Sequence, residues 1–282
     1  MGFRKIPALL MKCLRGILFS ILLGGTVGMV QASTVVDRPK SQQQGVLQLH
    51  VIFNNVPHRS DLRTAWGFAC LIEGLDRTLL FDTGGNGDIL LANMRRLGLD
   101  PRDVDAVALS HIHGDHVGGL PDLLAVNPEV TLYVPESFPP SFRRDVAAQG
   151  AEVETVKGPE QLFPGVYSTG QMGWPIQEQG ILVDSPQGPV LLTGCAHPNV
   201  ADMAEQATRY RNRKIHLLMG GFHLGSRREA EIRTIIERLQ ALGVEKVAPS
   251  HCTGNRAIRM FREAWGKDFI DGGLGAEITI RP

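Results

Sequence analysis

The chain has 282 residues, 43% of them apolar, with 29 basic and 29 acidic side chains and a formal net charge of zero. That length and composition allow one large domain or two small ones around a real core. They give no polyanion-binding surface, so no nucleic acid partner is expected. The first 32 residues hold Arg4, Lys5, Lys12 and Arg15 and no Asp or Glu, which leaves the rest of the chain mildly acidic.

Those 32 residues read as an export signal. A basic region leads into an apolar run from Gly16 to Val30, and Val30-Gln31-Ala32 offers small residues to a signal peptidase. The run contains Gly24, Gly25 and Gly28 and is shorter than the roughly 20 residues a membrane span needs. Cleavage after Ala32 is therefore expected, with a periplasmic or secreted product and no stable membrane insertion. Cys13 would be lost with the signal. Cys70, Cys195 and Cys252 remain, an odd number that makes no disulfide scaffold.

Ser33 to Gly45 is polar and patternless and reads as a linker. The domain proper is expected over 46–282. Residues 46–53 form a strand, and 66–73 with 78–81 a hairpin. Residues 88–97 have helical spacing stopped by Gly98. A strand at 104–109 precedes a helix at 117–126. Strands at 130–134 and 152–156 flank a helix at 138–149. In the second half, 181–184 and 190–193 form a hairpin about Pro186-Gln187-Gly188. Helices follow at 201–210, 226–242 and 257–265, with strands at 215–219, 244–248 and 277–280. Ser226 and Glu229 have the spacing of a capping box. Two runs of strands, each followed by helices, argue for two sheets face to face with helices outside.

The stretch that organises the chain is Ser110-His111-Ile112-His113-Gly114-Asp115-His116-Val117. Imidazole and carboxylate together are the usual ligands of zinc and its neighbours. Residues two apart in an extended segment point the same way, so His111 and His113 can converge on one metal. Asp115 and His116 point differently and can serve a second. Two further histidines, His197 and His251, end apolar strands in the same manner. His223 follows Gly220-Gly221-Phe222, whose glycines allow close approach, and is read as facing substrate. His50, His58 and His216 carry no motif.

This His-x-His-x-Asp-His pattern resembles the metallo-β-lactamase superfamily, over roughly Val46 to the C-terminus. The resemblance implies an αββα sandwich and a two-metal site. Its ligands would be His111, His113 and His197 for one ion and Asp115, His116 and His251 for the other. It also implies that Asp82, in Phe81-Asp82-Thr83-Gly84, supports the ligand histidines from behind. Two departures stand out. Many members carry a Gly-Asp whose carboxylate bridges the metals, where this chain has Gly194-Cys195-Ala196-His197. Gly170-Gln171-Met172 stands where a further histidine is common. Cys195 is open to two readings, a thiolate ligand or a small buried residue. Gly-Cys-Ala-His, Gly-Gly-Phe-His-Leu and Ser-His-Cys-Thr-Gly together resemble the branch related to the dihydropterin–ribofuranosylaminobenzene phosphate synthases.

The expected chemistry is hydrolysis of an ester-type bond of a small molecule, a phosphodiester, lactone or relative, by metal-activated hydroxide. Asp115 and His223 would be the catalytic side chains. The metals would be two divalent ions, zinc first, with manganese or iron as alternatives. Pterin-linked transfer, iron-dependent oxidoreduction and a catalytically inactive metal-binding protein are the other readings.

Overall fold

Leu79-Leu80-Phe81 and Val190-Leu191-Leu192 are apolar at every position, without the alternation of a half-exposed strand. Such runs belong to strands covered on both faces, and that is where the computed structural model, which describes residues 45–282, places them. The strands are β1 (Leu47–Asn54), β2 (Phe68–Glu73), β3 (Leu79–Phe81), β4 (Ala106–Ala108), β5 (Thr131–Pro135), β6 (Glu152–Val156) and β7 (Glu160–Phe163). They continue as β8 (Val166–Ser168), β9 (Ile181–Val183), β10 (Val190–Thr193), β11 (Leu217–Gly221), β12 (Lys246–Ser250) and β13 (Glu277–Ile280). The helices are α1 (Gly87–Leu97), α2 (Gly114–Val117), α3 (Leu120–Val126), α4 (Pro140–Ala147), α5 (Val200–Arg211), α6 (Glu229–Ala241) and α7 (Asn255–Trp265).

One sheet has seven strands in the order β13-β1-β2-β3-β4-β5-β6, the other six in the order β12-β11-β10-β9-β8-β7. Each mixes an antiparallel part with a parallel one. β3 to β6 run parallel in the first sheet, and β10 to β12 in the second. Strand faces sort the core into three. Leu49, Val51, Cys70, Ile72, Phe81, Val183, Val190, Leu192 and Met219 fill the space between the sheets. Ile52, Leu71, Leu80 and Val107 face outward onto α1, α3 and α4. Leu191, Leu218 and Val247 face α5, α6 and α7 on the other side. This is the αββα sandwich.

Several local expectations shift. The expected 117–126 helix is broken near its start: α2 ends at Val117, capped by Gly118, and α3 begins at Leu120 with Pro121 in its first turn, where a missing N–H costs nothing. α6 begins at Glu229, so the Ser226–Glu229 capping box does not form. Glu231 accepts from the Arg228 N–H at 3.1 Å instead. The β7–β8 hairpin has no counterpart in the apolar pattern, because Glu160 and Gln161 at its edge are exposed. The expected signal, 1–32, and all of the expected linker except Gly45 lie outside the described residues. Among the described residues no helix is long and apolar enough to cross a membrane.

Candidate metal centre

The chemistry-bearing residues follow the carboxyl ends of parallel strands. β3 runs into Asp82, β4 into Ser110 and His111, and β10 into Cys195 and His197; β11 leads to His223 and β12 to His251. Asp82, Ala196, His223 and His251 all take positive φ, between 51° and 57°. Non-glycine residues rarely accept that geometry, and such strain gathers at functional sites.

Six histidines and one carboxylate converge there. His111 Nε2 lies 3.1 Å from His113 Nδ1. The ring of His197 sits 4.8 Å from that of His111 and 4.9 Å from that of His113. Asp115 Oδ2 is 3.6 Å from His116 Nε2 and 3.4 Å from His251 Nε2. Cys195 Sγ is 3.3 Å from His116 Nε2. A tetrahedral ion with bonds of 2.0–2.3 Å holds its ligand atoms about 3.3–3.8 Å apart, and the separations about Asp115, His116, His251 and Cys195 match. His223 packs beside His197, ring to ring at 4.4 Å, but is exposed. Trp66, 59% exposed, lies 4.9 Å from the His251 ring at the rim.

Three of the imidazoles have their rear nitrogen committed. Asp82 Oδ2 accepts from His116 Nδ1 at 2.7 Å and from Ser110 Oγ at 2.8 Å, while Oδ1 accepts from the Ser110 N–H. With its hydroxyl donated to Asp82, Ser110 Oγ accepts from His111 Nδ1 at 2.9 Å. Asn55 Oδ1 accepts from His251 Nδ1 at 2.7 Å. These contacts fix the tautomers so that Nε2 of His111, His116 and His251 presents a lone pair to the centre.

A second device aims the β10 end. Glu178 is fully buried, and its carboxylate accepts the backbone N–H groups of Gly194, Cys195, Ala196 and His197 at 2.8–3.1 Å. Gly194 must lack a side chain, since a Cβ there would stand 2.0 Å from Ser110 Oγ.

The electrostatics are those of crowded bases. Burial and then the neighbouring His116 and His197 hold His111 far below the usual imidazole range. Burial and His223 lower His197 from 6.5 to about 4. Burial opposes charge on Asp115, but its contact with His251 and the charges of His116 and His251 hold it below the usual carboxylate range. His116 resists burial because of Asp82 and rises. Burial pushes Glu178 up to about 7 against its four N–H donors. His223 is raised by its hydrogen bond with Cys252.

A metal ion suits this donor set. His197 Nε2 and His251 Nε2 are buried without a hydrogen-bonding partner, a costly arrangement that a cation would relieve. Among the described residues, three groups could hold an ion: His111, Cys195 and His197; His116, Cys195 and His251; and Cys195, His223 and Cys252.

All the residues singled out in the sequence are thus brought together: His111, His113, Asp115, His116, His197, His223 and His251, with Asp82 and Cys195. His50 instead pairs with Glu73, His58 with Asp271 and His216 with Glu245. Asn55 and Glu178 escaped sequence reasoning. Asn55 looked like one polar loop residue among several. Glu178 lies in a segment without periodicity. Cys252 had one signal, its place directly after His251.

An αββα sandwich with imidazoles, a carboxylate and thiols at its strand ends defines a metal-binding class of protein. The chain belongs to the metallo-beta-lactamase superfamily, whose profile matches residues 67–251. It is 27% identical to the 7,8-dihydropterin-6-methyl-4-(beta-D-ribofuranosyl)-aminobenzene-5'-phosphate synthase of Methanocaldococcus jannaschii, covering 72% of this chain and 86% of that one. Among solved structures it resembles Tm1679, a metal-dependent hydrolase of the beta-lactamase superfamily. There the TM-score is 0.69 at 25% identity, over 84% of this chain and 100% of the other. Human tRNase Z, short form, shares the fold at a TM-score of 0.58 and 15% identity, over 83% of this chain and 100% of the other.

Proposed function

We propose that this protein is a metal-dependent hydrolase that binds two divalent ions and cleaves an ester-type bond of a small molecule. The observation that carries the reading is the convergence of seven donor side chains, three of them with the rear nitrogen already held. His111, His113 and His197 would hold one ion; Asp115, His116 and His251 would hold the other. Zinc fits the mixture of imidazole, carboxylate and thiol best, with manganese or iron as alternatives. When bound, such ions supply Lewis acidity and make water a nucleophile at neutral pH.

The side chains do the rest. Asp82, Ser110 and Asn55 orient the imidazoles. Asp115, kept as a carboxylate, would hold its ion and orient the attacking water by accepting a hydrogen bond from it. His223 is exposed at the mouth, and Cys252 favours its protonated form. It can therefore give a proton to the leaving oxygen, as a general acid does. The net charge of zero favours a small-molecule substrate over nucleic acid, and the N-terminal pattern favours an exported enzyme.

A second reading is pterin-linked transfer, favoured by the similarity to the M. jannaschii synthase. A panel of nitrophenyl phosphodiesters, lactones and a chromogenic cephalosporin tests the first reading. Metal-dependent turnover of at least one ester-type member is expected. Failure on every member, with product formed from a dihydropterin and an aminobenzene ribofuranosyl phosphate, would replace it by the second.

A further inference from the structure

We propose that the Cys195 thiolate is the ligand shared by the two ions, so that sulfur stands between them instead of a carboxylate. The proposal rests on the two-ion reading and adds the identity of the bridge.

Among the described residues, the groups able to hold an ion are three, and Cys195 Sγ belongs to all of them. In one it joins His111 and His197; in another it joins His116 and His251. Those pairs are the halves of the proposed centre, and one sulfur atom lies within 4.8 Å of the donor nitrogens of both. It is already 3.3 Å from His116 Nε2. The side chain is 4% exposed, so its position comes from its backbone and not from a choice of surface rotamers. That backbone is clamped: Glu178 takes the N–H groups on both sides of Cys195 and that of Cys195 itself. Ala196 holds positive φ next to it. The clamp that aims His197 thereby fixes Cys195 as well.

Cys252 is the competing thiol. It groups only with Cys195 and His223, and not with the His111–His197 or His116–His251 pair. Its Sγ lies 3.6 Å from the Cys195 carbonyl oxygen, and it is half-buried. It therefore reaches neither histidine pair of the proposed centre.

On loading, the Cys195 S–H bond breaks and its proton leaves to solvent. Two sulfur lone pairs then form one bond to each ion, with no change in oxidation state. The centre should consequently prefer ions that accept thiolate, such as zinc, cobalt and iron, over magnesium.

The test uses the whole protein, stripped and reloaded with Co(II), whose thiolate complexes absorb in the near ultraviolet by charge transfer. Wild type is expected to bind two ions and to show the thiolate band. Cys252→Ser should keep the band. Cys195→Ser should lose it, along with at least one ion. Cys195→Asp should also lose the band but keep two ions, which separates loss of the bridge from loss of the fold. Two ions in wild type without a thiolate band would overturn the proposal and leave the two-ion reading standing. A band lost in Cys252→Ser and kept in Cys195→Ser would overturn it in favour of the other thiol. Fewer than two ions in wild type would overturn both readings.

Discussion

At the scale of single residues, the compact motif from His111 to His116 was legible because all its members lie on one strand-loop-helix turn. Their supports were not. Asn55 meets His251 across 196 positions of sequence, and no local pattern announces such a contact. It nevertheless does for His251 what Asp82 does for His116. Asn55→Ala should lower metal affinity about 10–100-fold, as loss of a support behind a ligand imidazole commonly does. Competition with a fluorescent chelator measures it; unchanged affinity would make Asn55 a loop residue only. His197 supplies a pH dependence. The unfolded chain takes up its proton near 6.5, the folded metal-free protein only near 4. Between those values the unfolded state binds more protons at this side chain. Its contribution to stability therefore rises with pH and is lost as pH falls through the window. Other groups titrate there too, Glu178 in the opposite sense. The comparison is thus with His197→Gln, which cannot titrate. In urea melts of metal-free protein, wild type should lose stability relative to the variant as pH drops from 6.5 toward 4.

At the scale of elements, continuous apolar runs marked the strands buried on both faces, and the hairpin of β9 and β10 formed as expected. Pattern failed where burial was incomplete. β7 is an edge strand with exposed polar positions, and its pairing with the three-residue β8 comes from backbone hydrogen bonds that side-chain periodicity does not reveal. The start of α6 was misplaced because two acids, Glu229 and Glu231, stand near it, and Glu231 reaches the free N–H of Arg228. The end of β10 depends on Glu178, which no local pattern singles out. In Glu178→Gln the amide oxygen can keep the bonds now made by Oε1. The amide nitrogen then faces the His197 N–H, donor against donor. A buried unsatisfied pair of this kind costs about 1–3 kcal/mol. The variant should melt lower and hold less metal than wild type; an unchanged melting temperature and metal content would show that the clamp is dispensable.

At the scale of the whole folded unit, the donors come from both layers. His111, His113, Asp115 and His116 follow β4 of the seven-stranded sheet. Cys195, His197, His223 and His251 follow β10, β11 and β12 of the six-stranded one. The sandwich was legible from the order of strands and helices, but the sharing of one centre by two sheets required their packing to be seen. His113 and His223 would do different work in that centre. His113 Nδ1 faces His111 Nε2 and would bind an ion; exposed His223 would bind none and would carry a proton. Metal content and turnover of His113→Ala and His223→Ala, on an ester substrate that wild type cleaves, separate these roles most directly. His113→Ala is expected to lose metal and activity together. His223→Ala should keep wild-type metal content while turnover falls about 10²-fold. Loss of metal from His223→Ala to the same extent as from His113→Ala would contradict that division of work.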